Sequence, residues 1–345
     1  MTEETSGRNE QLDLMRLIAC VAVVGLHTLR LDGSISNAFL YNLCGFAVPI
    51  FYMSSGYVLL HKKTVSVCYA RRKVLSILRV IVIWNVMYWF AKTAAKWVFF
   101  HEQPNRPFGT LLDETVSSLF QKGSLWQFWY LGALIILYLC LPVMHKWIYG
   151  QNKVWKSLWL LFLSVSLTAQ GVSMVVGSPI QKNVVQTLRI WTWIHYFILG
   201  GGIDYLGSFI TKVFPTKKRH ACGLISCSVV VAIWQVFAGR CIIHNTYAEY
   251  FYDDGLTVLW TIILFSYVLR LDISNSFVGK MSARLTPCIM GVFIIHPLLI
   301  NVVRHYFTIS DTGCSVAFFI GILIGSFMIV DIISRTRLKK YLIKL

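Results

Sequence analysis

Charge is scarce in this sequence: only 14% of its 345 residues are Asp, Glu, Lys or Arg, against roughly a quarter in a soluble domain. No polar stretch is long enough to form a second globular domain, and there is no internal repeat or low-complexity tract. Among the nine cysteines there is no C-x-x-C pair and no spacing to histidine that suits a metal site, so the sequence implies no metal. No cleavable signal peptide is visible either. The first ten residues are polar, with Glu3, Glu4 and Glu10 against Arg8, and no small-residue cleavage site follows. The first apolar run is therefore expected to stay as an uncleaved anchor.

What the chain does have is apolar surface, at 56% of residues and a mean hydropathy of +0.63. A helix needs about 20 mostly apolar residues to cross a bilayer, and only helices or closed barrels satisfy their backbone groups there. The runs are continuous rather than alternating. This predicts an all-α integral membrane protein with about ten transmembrane helices, near 12–30, 38–60, 75–100, 126–144, 154–176, 191–207, 221–238, 255–270, 285–303 and 316–335. The domain plan is a polar cytoplasmic N-terminus at 1–11, a transmembrane domain at 12–335 and a basic cytoplasmic tail at 336–345.

Thirty-two basic residues against fifteen acidic ones give a net charge of +17, and their placement explains most of it. Twenty basic residues fall on alternate connections and the tail, among them Lys62, Lys63, Arg71, Arg72 and Lys73. Only seven fall on the opposite side: Arg30, Arg106, Lys122, Lys182, Arg189, Arg240 and Arg304. By the positive-inside rule both termini are expected in the cytoplasm. The excess reads as topology signal and contact with anionic membrane lipids, with a remainder to hold an anionic cofactor, and no nucleic acid is implied. Most cysteines, such as Cys20, Cys44, Cys140 and Cys288, fall inside spans as small apolar residues. Cys241 and Cys314 both lie near the outer face, where a pairing is left open.

Ionisable groups inside transmembrane helices are costly and usually face a protein interior or a watery cavity. The first span carries three, Asp13, Arg16 and His27. Arg16 and His27 are eleven residues apart, just over three turns, so they share a face at an axial separation of about 16 Å. Asp13 is close enough to orient the Arg16 guanidinium. Two readings are open for each: Asp13 and Arg16 as snorkelling interface residues or site residues, and His27 as a structural hydrogen-bonding residue or a base.

The segment LDLMRLIACVAVVGLHT resembles the opening helix of the membrane-bound acyltransferase-3 family, an arginine followed by ten residues and a histidine. Further blocks follow in the family's order: VPIFYMSSGYVLL, YARRKVLSILRVIVIW, FWYLGALIILYLCLPV, WIHYFILGG and GVFIIHPLLI. Where many members that modify lipopolysaccharide carry a glutamate, five residues after Trp129, this chain has Leu134. That departure resembles the branch of enterobacterial-common-antigen and capsule acetyltransferases. A hydrolase-like domain fused to some members would follow the last span, but this sequence stops at Leu345, so transfer to the final acceptor is expected within the membrane domain.

The resemblance implies an acyl-CoA-dependent O-acetyltransferase in a bacterial cytoplasmic membrane. It would move an acetyl group from cytoplasmic acetyl-CoA to a hydroxyl of a cell-surface or lipid-linked glycan. Arg16, with Arg71, Arg72 and Arg79, is expected to hold the donor's phosphates, since arginine's planar fork suits them. Arg71 and Arg72 read equally well as topology signals. His27 is expected to act as the general base. Ser55, Tyr57, Trp129 and His296 are candidates for oxyanion or substrate contacts, each with a structural reading beside it: Ser54-Ser55-Gly56 as a close packing point, and His296 as a partner for the carbonyl freed by Pro297. A covalent acyl-enzyme through Cys20 is the less favoured route, because cysteine in apolar surroundings is inert. The acceptor is not named by the sequence, although the outer aromatics Tyr247, Tyr250, Phe251 and Tyr252 beside Glu249, Asp253 and Asp254 suit either sugar stacking or interface anchoring. A multi-pass transporter of a glycan, lipid or small metabolite remains the alternative. Its usual paired helix breaks are represented only by Gly200-Gly201-Gly202.

Overall fold

The computed structural model describes residues 9–30, 33–100, 107–274 and 276–343, with the side chains of 95–100 and 107–109 excepted. The polar segment at 1–8 and the final residues 344 and 345 lie outside the described residues, as does Arg106. The described chain is helical with no strand. In order it forms α1 (Glu10–Thr28), α2 (Ile35–Asn42), α3 (Ala47–Leu60), α4 (Val67–Phe100), α5 (Pro107–Leu119), α6 (Trp129–Ile148), α7 (Asn152–Val176) and α8 (Ile190–Gly201). It continues with α9 (Gly207–Val213), α10 (Lys217–Cys241), α11 (Gly255–Leu269), α12 (Phe277–Leu285), α13 (Ile289–Tyr306), α14 (Thr312–Ser334) and α15 (Lys339–Leu342).

Helix α1 begins where the Asn9 side chain accepts a hydrogen bond from the Leu12 amide at 2.9 Å, an N-cap that satisfies an otherwise orphaned donor. The apolar run at 38–60 is broken by a turn at 43–46, so α2 and α3 together make one 26-residue crossing. Pro49 sits in the first turn of α3, where its missing N–H costs no helical bond. Helix α7 stops at Gly177, which takes the left-handed conformation (φ 70°) that a side chain would resist.

Among the described residues, eight helical segments are long and apolar enough to cross a membrane. They account for eight of the ten predicted runs. The other two form helices of only 12 and 15 residues, α8 and α11. Twelve residues rise about 18 Å, short of a hydrocarbon core roughly 30 Å thick. Short 3-10 turns at Gln186–Leu188 and Ile203–Leu206 flank α8. Irregular backbone at membrane depth is tolerated where protein surrounds it, and Thr192–Gly200 is buried throughout. Periodicity marked these runs as apolar without revealing that they shelter inside the bundle.

Helix α1 is the centre of the molecule. Its apolar window is 67% buried, against 17% for α7 and 22% for α10 and α14, which form the periphery. It packs on α3, α11, α12, α13 and α14. One apolar cluster joins it to α3, α6, α8 and α11, and a second joins it to α4, α6, α13 and α14. Sequence reading missed the amphipathic helix α5, whose Glu114 receives Lys92 of α4 at 2.7 Å. The basic tail is partly docked, since Leu342 and Ile343 are buried and the Leu342 carbonyl accepts the Trp84 indole N–H at 2.8 Å. Cys241 and Cys314 are both free thiols.

Glycine decides how closely α3 and α8 approach. A β-carbon on Gly56 would overlap the Phe197 carbonyl, and one on Gly200 would overlap the Met53 carbonyl. The two backbones touch, as small residues permit in membranes. Gly202 likewise lies flat against the Trp155 indole, whose N–H donates to the Ile198 carbonyl at 2.7 Å. The glycine triplet is thus a packing seam rather than a mid-membrane break. Gly56→Val and Gly200→Val should each destabilise the protein by about 1–3 kcal/mol or more through overpacking. Thermal unfolding in detergent checks this: unchanged melting in both variants would mean the helices are not in backbone contact.

Candidate active site

His27 lies one residue before the end of α1 and lines a cavity of ≈ 670 Å³. The walls come from distant parts of the chain: Val23, Leu26 and Arg30, Tyr41 of α2, Gln121, Trp126 and Trp129, Gln186, the 247–252 segment and Arg304 of α13. The volume falls in the range of roughly 300–1,000 Å³ typical of small-ligand sites. Gln121 enters from a left-handed backbone (φ 63°), an uncommon conformation for a non-glycine residue.

Around the His27 imidazole, the Trp126 ring meets it edge-on with centroids 5.2 Å apart, and the His296 ring lies 5.2 Å away at a 32° tilt. The Arg304 guanidinium donates to the His27 carbonyl at 3.2 Å. His296 is fully buried, and its Nδ1 is 2.8 Å from the Val292 carbonyl. A carbonyl only accepts, so Nδ1 carries the proton and Nε2 of the neutral ring is an acceptor. That Nε2 has no hydrogen-bond partner among the described residues. The ring also interacts with the backbone of Phe293, whose carbonyl loses its helical donor to Pro297. The structural reading of His296 and its place beside His27 therefore hold together.

The outer aromatic–acidic segment divides by role. Tyr247, Glu249, Tyr250 and Tyr252 line the cavity. Phe251 is buried in a separate apolar cluster. Asp253 accepts Thr192 Oγ1 at 2.6 Å and the Gln181 amide at 3.3 Å. Asp254 caps α11 and accepts the Trp234 indole N–H at 2.7 Å. Tyr41 Oη accepts the Ala248 amide at 3.0 Å, tying the segment to α2. Burial pushes both Glu249 and Asp253 above the usual carboxylate range. For Glu249 that push is opposed by Arg189, 3.8 Å away, and by the Gln186 side-chain amide, which donates to it.

Arg16 sits at the other end of α1 and does not line this cavity. It lies within electrostatic reach of Tyr130 and Tyr138 on α6. Tyr138 also senses Tyr69, two residues before Arg71, so the start of α4 converges on the Arg16 end. Arg71 and Arg72 are exposed there, and Arg79 is half-buried with an N–H donating to Ser76 Oγ at 3.2 Å. Of the substrate-contact candidates, Trp129 lines the cavity. Ser55 donates to the Phe51 carbonyl at 2.9 Å and lies beside the Tyr130 hydroxyl. Tyr57 is farther along α3, its ring 4.7 Å from His61. An aromatic cluster joins α3, α6 and α8. Tyr52 stacks on Trp193 at 4.7 Å and meets Tyr130 at 5.1 Å, while Trp129 lies 5.3 Å from Trp193.

The profile of an acyltransferase domain, that of the acyltransferase-3 family, matches residues 9–335. The chain belongs to the acyltransferase-3 family. No curated protein and no solved structure matches it significantly. The match takes in α1 with both Arg16 and His27, and all but the last turn-and-tail of the bundle. It makes the protein a membrane acyltransferase. Leu134, five residues after Trp129, is buried in the apolar cluster around α4 and α13. Sequence reading missed Trp126, Gln121, Gln186, Arg30 and Arg304 as cavity residues. The two arginines did leave a signal, since both belong to the seven basic residues on the charge-poor set of connections in the sequence.

The Arg189–Glu249 pair should prove coupled. Arg189 is 3% exposed and also donates to the Val184 carbonyl at 2.9 Å. Removing either partner strands a buried charge. A double-mutant cycle with Arg189→Met and Glu249→Gln should return an interaction energy of about 0.5–3 kcal/mol from thermal or chemical unfolding. Strict additivity of the two substitutions would show that the pair contributes nothing to holding the cavity wall.

Proposed function

We propose that this acyltransferase moves an acyl group, acetyl by preference, from cytoplasmic acyl-CoA to a hydroxyl of a glycan on the outer side of a bacterial cytoplasmic membrane. Both termini are then cytoplasmic, which puts Arg16 near the donor's side and His27 near the acceptor's. The observation that carries the reading is the position of His27, in the wall of a ≈ 670 Å³ cavity lined by aromatic and amide side chains. Arg16 lies some three turns back along the same helix, about 16 Å away by helical rise.

In this reading the guanidinium of Arg16 grips the donor's phosphates, with the exposed Arg71 and Arg72 adding positive charge at the same end. The thioester arm extends along α1 toward His27. The acceptor hydroxyl oxygen attacks the thioester carbonyl carbon as His27 takes its proton. The C–S bond then breaks, the acyl group remains on the acceptor as an ester, and the thiolate leaves as CoA after taking up a proton. His296 is better suited to positioning His27 than to stabilising an oxyanion, because its free Nε2 accepts rather than donates. Trp129, whose indole carries an N–H donor, is the better oxyanion candidate on the cavity wall. Direct transfer is favoured over an acyl-cysteine, since Cys20 packs in the apolar cluster around Val24 and Ile77 and is not part of the cavity lining.

Purified protein in nanodiscs, given radiolabelled acetyl-CoA and a crude glycan fraction, should release CoA and label the glycan. His27→Ala should lower kcat/KM by about 10²–10⁴-fold, the range of a lost general base. Arg16→Ala should chiefly raise the donor KM, as loss of uniform binding does. His296→Ala should lower kcat by less than His27→Ala while leaving the donor KM in place. Full turnover by the His27 and Arg16 variants would refute the assignment, and glycan movement across liposomes without CoA release would make the protein a carrier.

A further inference from the structure

The central helix α1 presents two different faces. At 3.6 residues per turn, Arg16 points about 160° away from both Leu14 and Ile18. The face that carries Arg16 and His27 therefore has its back to a separate apolar groove, of volume ≈ 380 Å³. Leu14, Ile18 and Ala22 line that groove along about 12 Å of α1. Its walls include Phe46, at the head of α3, and Phe319 of α14. The groove shares no lining residue with the His27 cavity.

The two ends of the groove differ in chemistry. Beyond Ala22, Gly25 lets Cys44 close on α1, since a β-carbon at Gly25 would meet the Cys44 Sγ at 2.5 Å. Farther along, Thr312 Oγ1 donates to Asn37 Oδ1 at 2.6 Å and Ser315 Oγ to the Thr28 carbonyl at 3.2 Å, which draws α1, α2 and α14 together. At the other end the groove runs out onto Met281 of α12. Ser276 caps this helix by accepting the Gly279 amide at 3.0 Å, and Gly279 and Ser282 form its buried face. The opposite face is exposed and mixed in character, with Phe277 and Met281 beside Lys280 and Arg284. Two nearby carboxylates are engaged elsewhere: Glu10 lies against Gly279 on the buried side, and Asp331 is paired with Arg335.

Aromatic and basic side chains on one exposed helix face suit the boundary between head groups and acyl chains. An open apolar groove beside that face offers hydrocarbon a place to pack, and the two cations complement a phosphate where the chain emerges. We propose that the groove holds one acyl chain of an anionic phospholipid from the leaflet at the Arg16 end. Its phosphate is held by Lys280 and Arg284, and its chain lies along the back of α1 from Met281 to Ala22. The lipid then supports from behind the helix that carries Arg16 and His27. This requires the membrane-spanning fold and is independent of the acyl-transfer chemistry.

Native mass spectrometry of the protein released from nanodiscs tests the site. With phosphatidylglycerol and phosphatidylcholine in equal amounts, the wild type should retain one tightly held lipid, phosphatidylglycerol over phosphatidylcholine by at least tenfold. Lys280→Gln and Arg284→Gln together should erase that preference, since each basic residue at a membrane surface counts for about a fivefold change. Ile18→Trp, which fills the groove, should lose the tight lipid altogether. Should Ile18→Trp fail to fold, the exposed Lys280 and Arg284 positions still decide the question. Equal retention of the two lipids by the wild type overturns the proposal, as does a preference that survives the double substitution. Displacement of phosphatidylglycerol by an equimolar amount of polyprenyl phosphate would also overturn it, assigning the groove to a carrier lipid. A dimer that disappears with Ile18→Trp would make the groove an interface between two copies of the chain instead.

Discussion

The architecture depends on one constraint: the most buried of the candidate membrane helices carries ionisable side chains. Taking an arginine or histidine out of water is unfavourable unless protein groups or a watery space replace the solvent. Helix α1 meets this condition separately at its two ends. Arg16 has the phenols of Tyr130 and Tyr138 and the exposed start of α4 nearby. His27 has a cavity, a second histidine and the edge of an indole. The packing of α3, α11, α13 and α14 around α1 is what builds those two environments, and the α3–α8 glycine seam brings Trp193 against Tyr52.

Much of the bundle was legible because a membrane imposes a simple rule on composition. Every predicted apolar run corresponds to a helix, and the spacing of Arg16 and His27 along one helix was available from residue count alone. The lengths of α8 and α11 were not legible, since a buried short helix and a lipid-facing long one show the same apolar pattern. Helix α5 was missed for the opposite reason: at 13 residues with three charged or hydroxyl-rich turns it carries no membrane-length run. The cavity wall was least legible. Tyr41, Gln121, Gln186 and Arg304 approach one another only through tertiary packing, and no local pattern links positions separated by up to 263 residues in the chain.

The loop from Tyr247 to Asp254 illustrates how one aromatic–acidic string serves several purposes. Asp253 and Asp254 are consumed by hydrogen bonds to Thr192, Gln181 and Trp234, and Phe251 by apolar packing. Those anchors hold the loop against α8, α10 and α11, and in doing so they turn Tyr247, Glu249 and Tyr250 toward the cavity. A sequence reading that treats the string as uniformly sugar-binding or uniformly interfacial misses this division. Alternation between anchored and cavity-facing residues requires the fold.

The aromatic cluster of Tyr52, Trp129, Tyr130 and Trp193 carries a polar cost of its own. Tyr52 and Trp193 are fully buried and stacked, and the Tyr52 hydroxyl has no hydrogen-bond partner among the described residues. An unsatisfied buried hydroxyl costs about 1–3 kcal/mol, so this closed packing is less stable than an apolar layer of the same shape. A group that brought a hydrogen-bond acceptor to the Tyr52 hydroxyl would remove that cost.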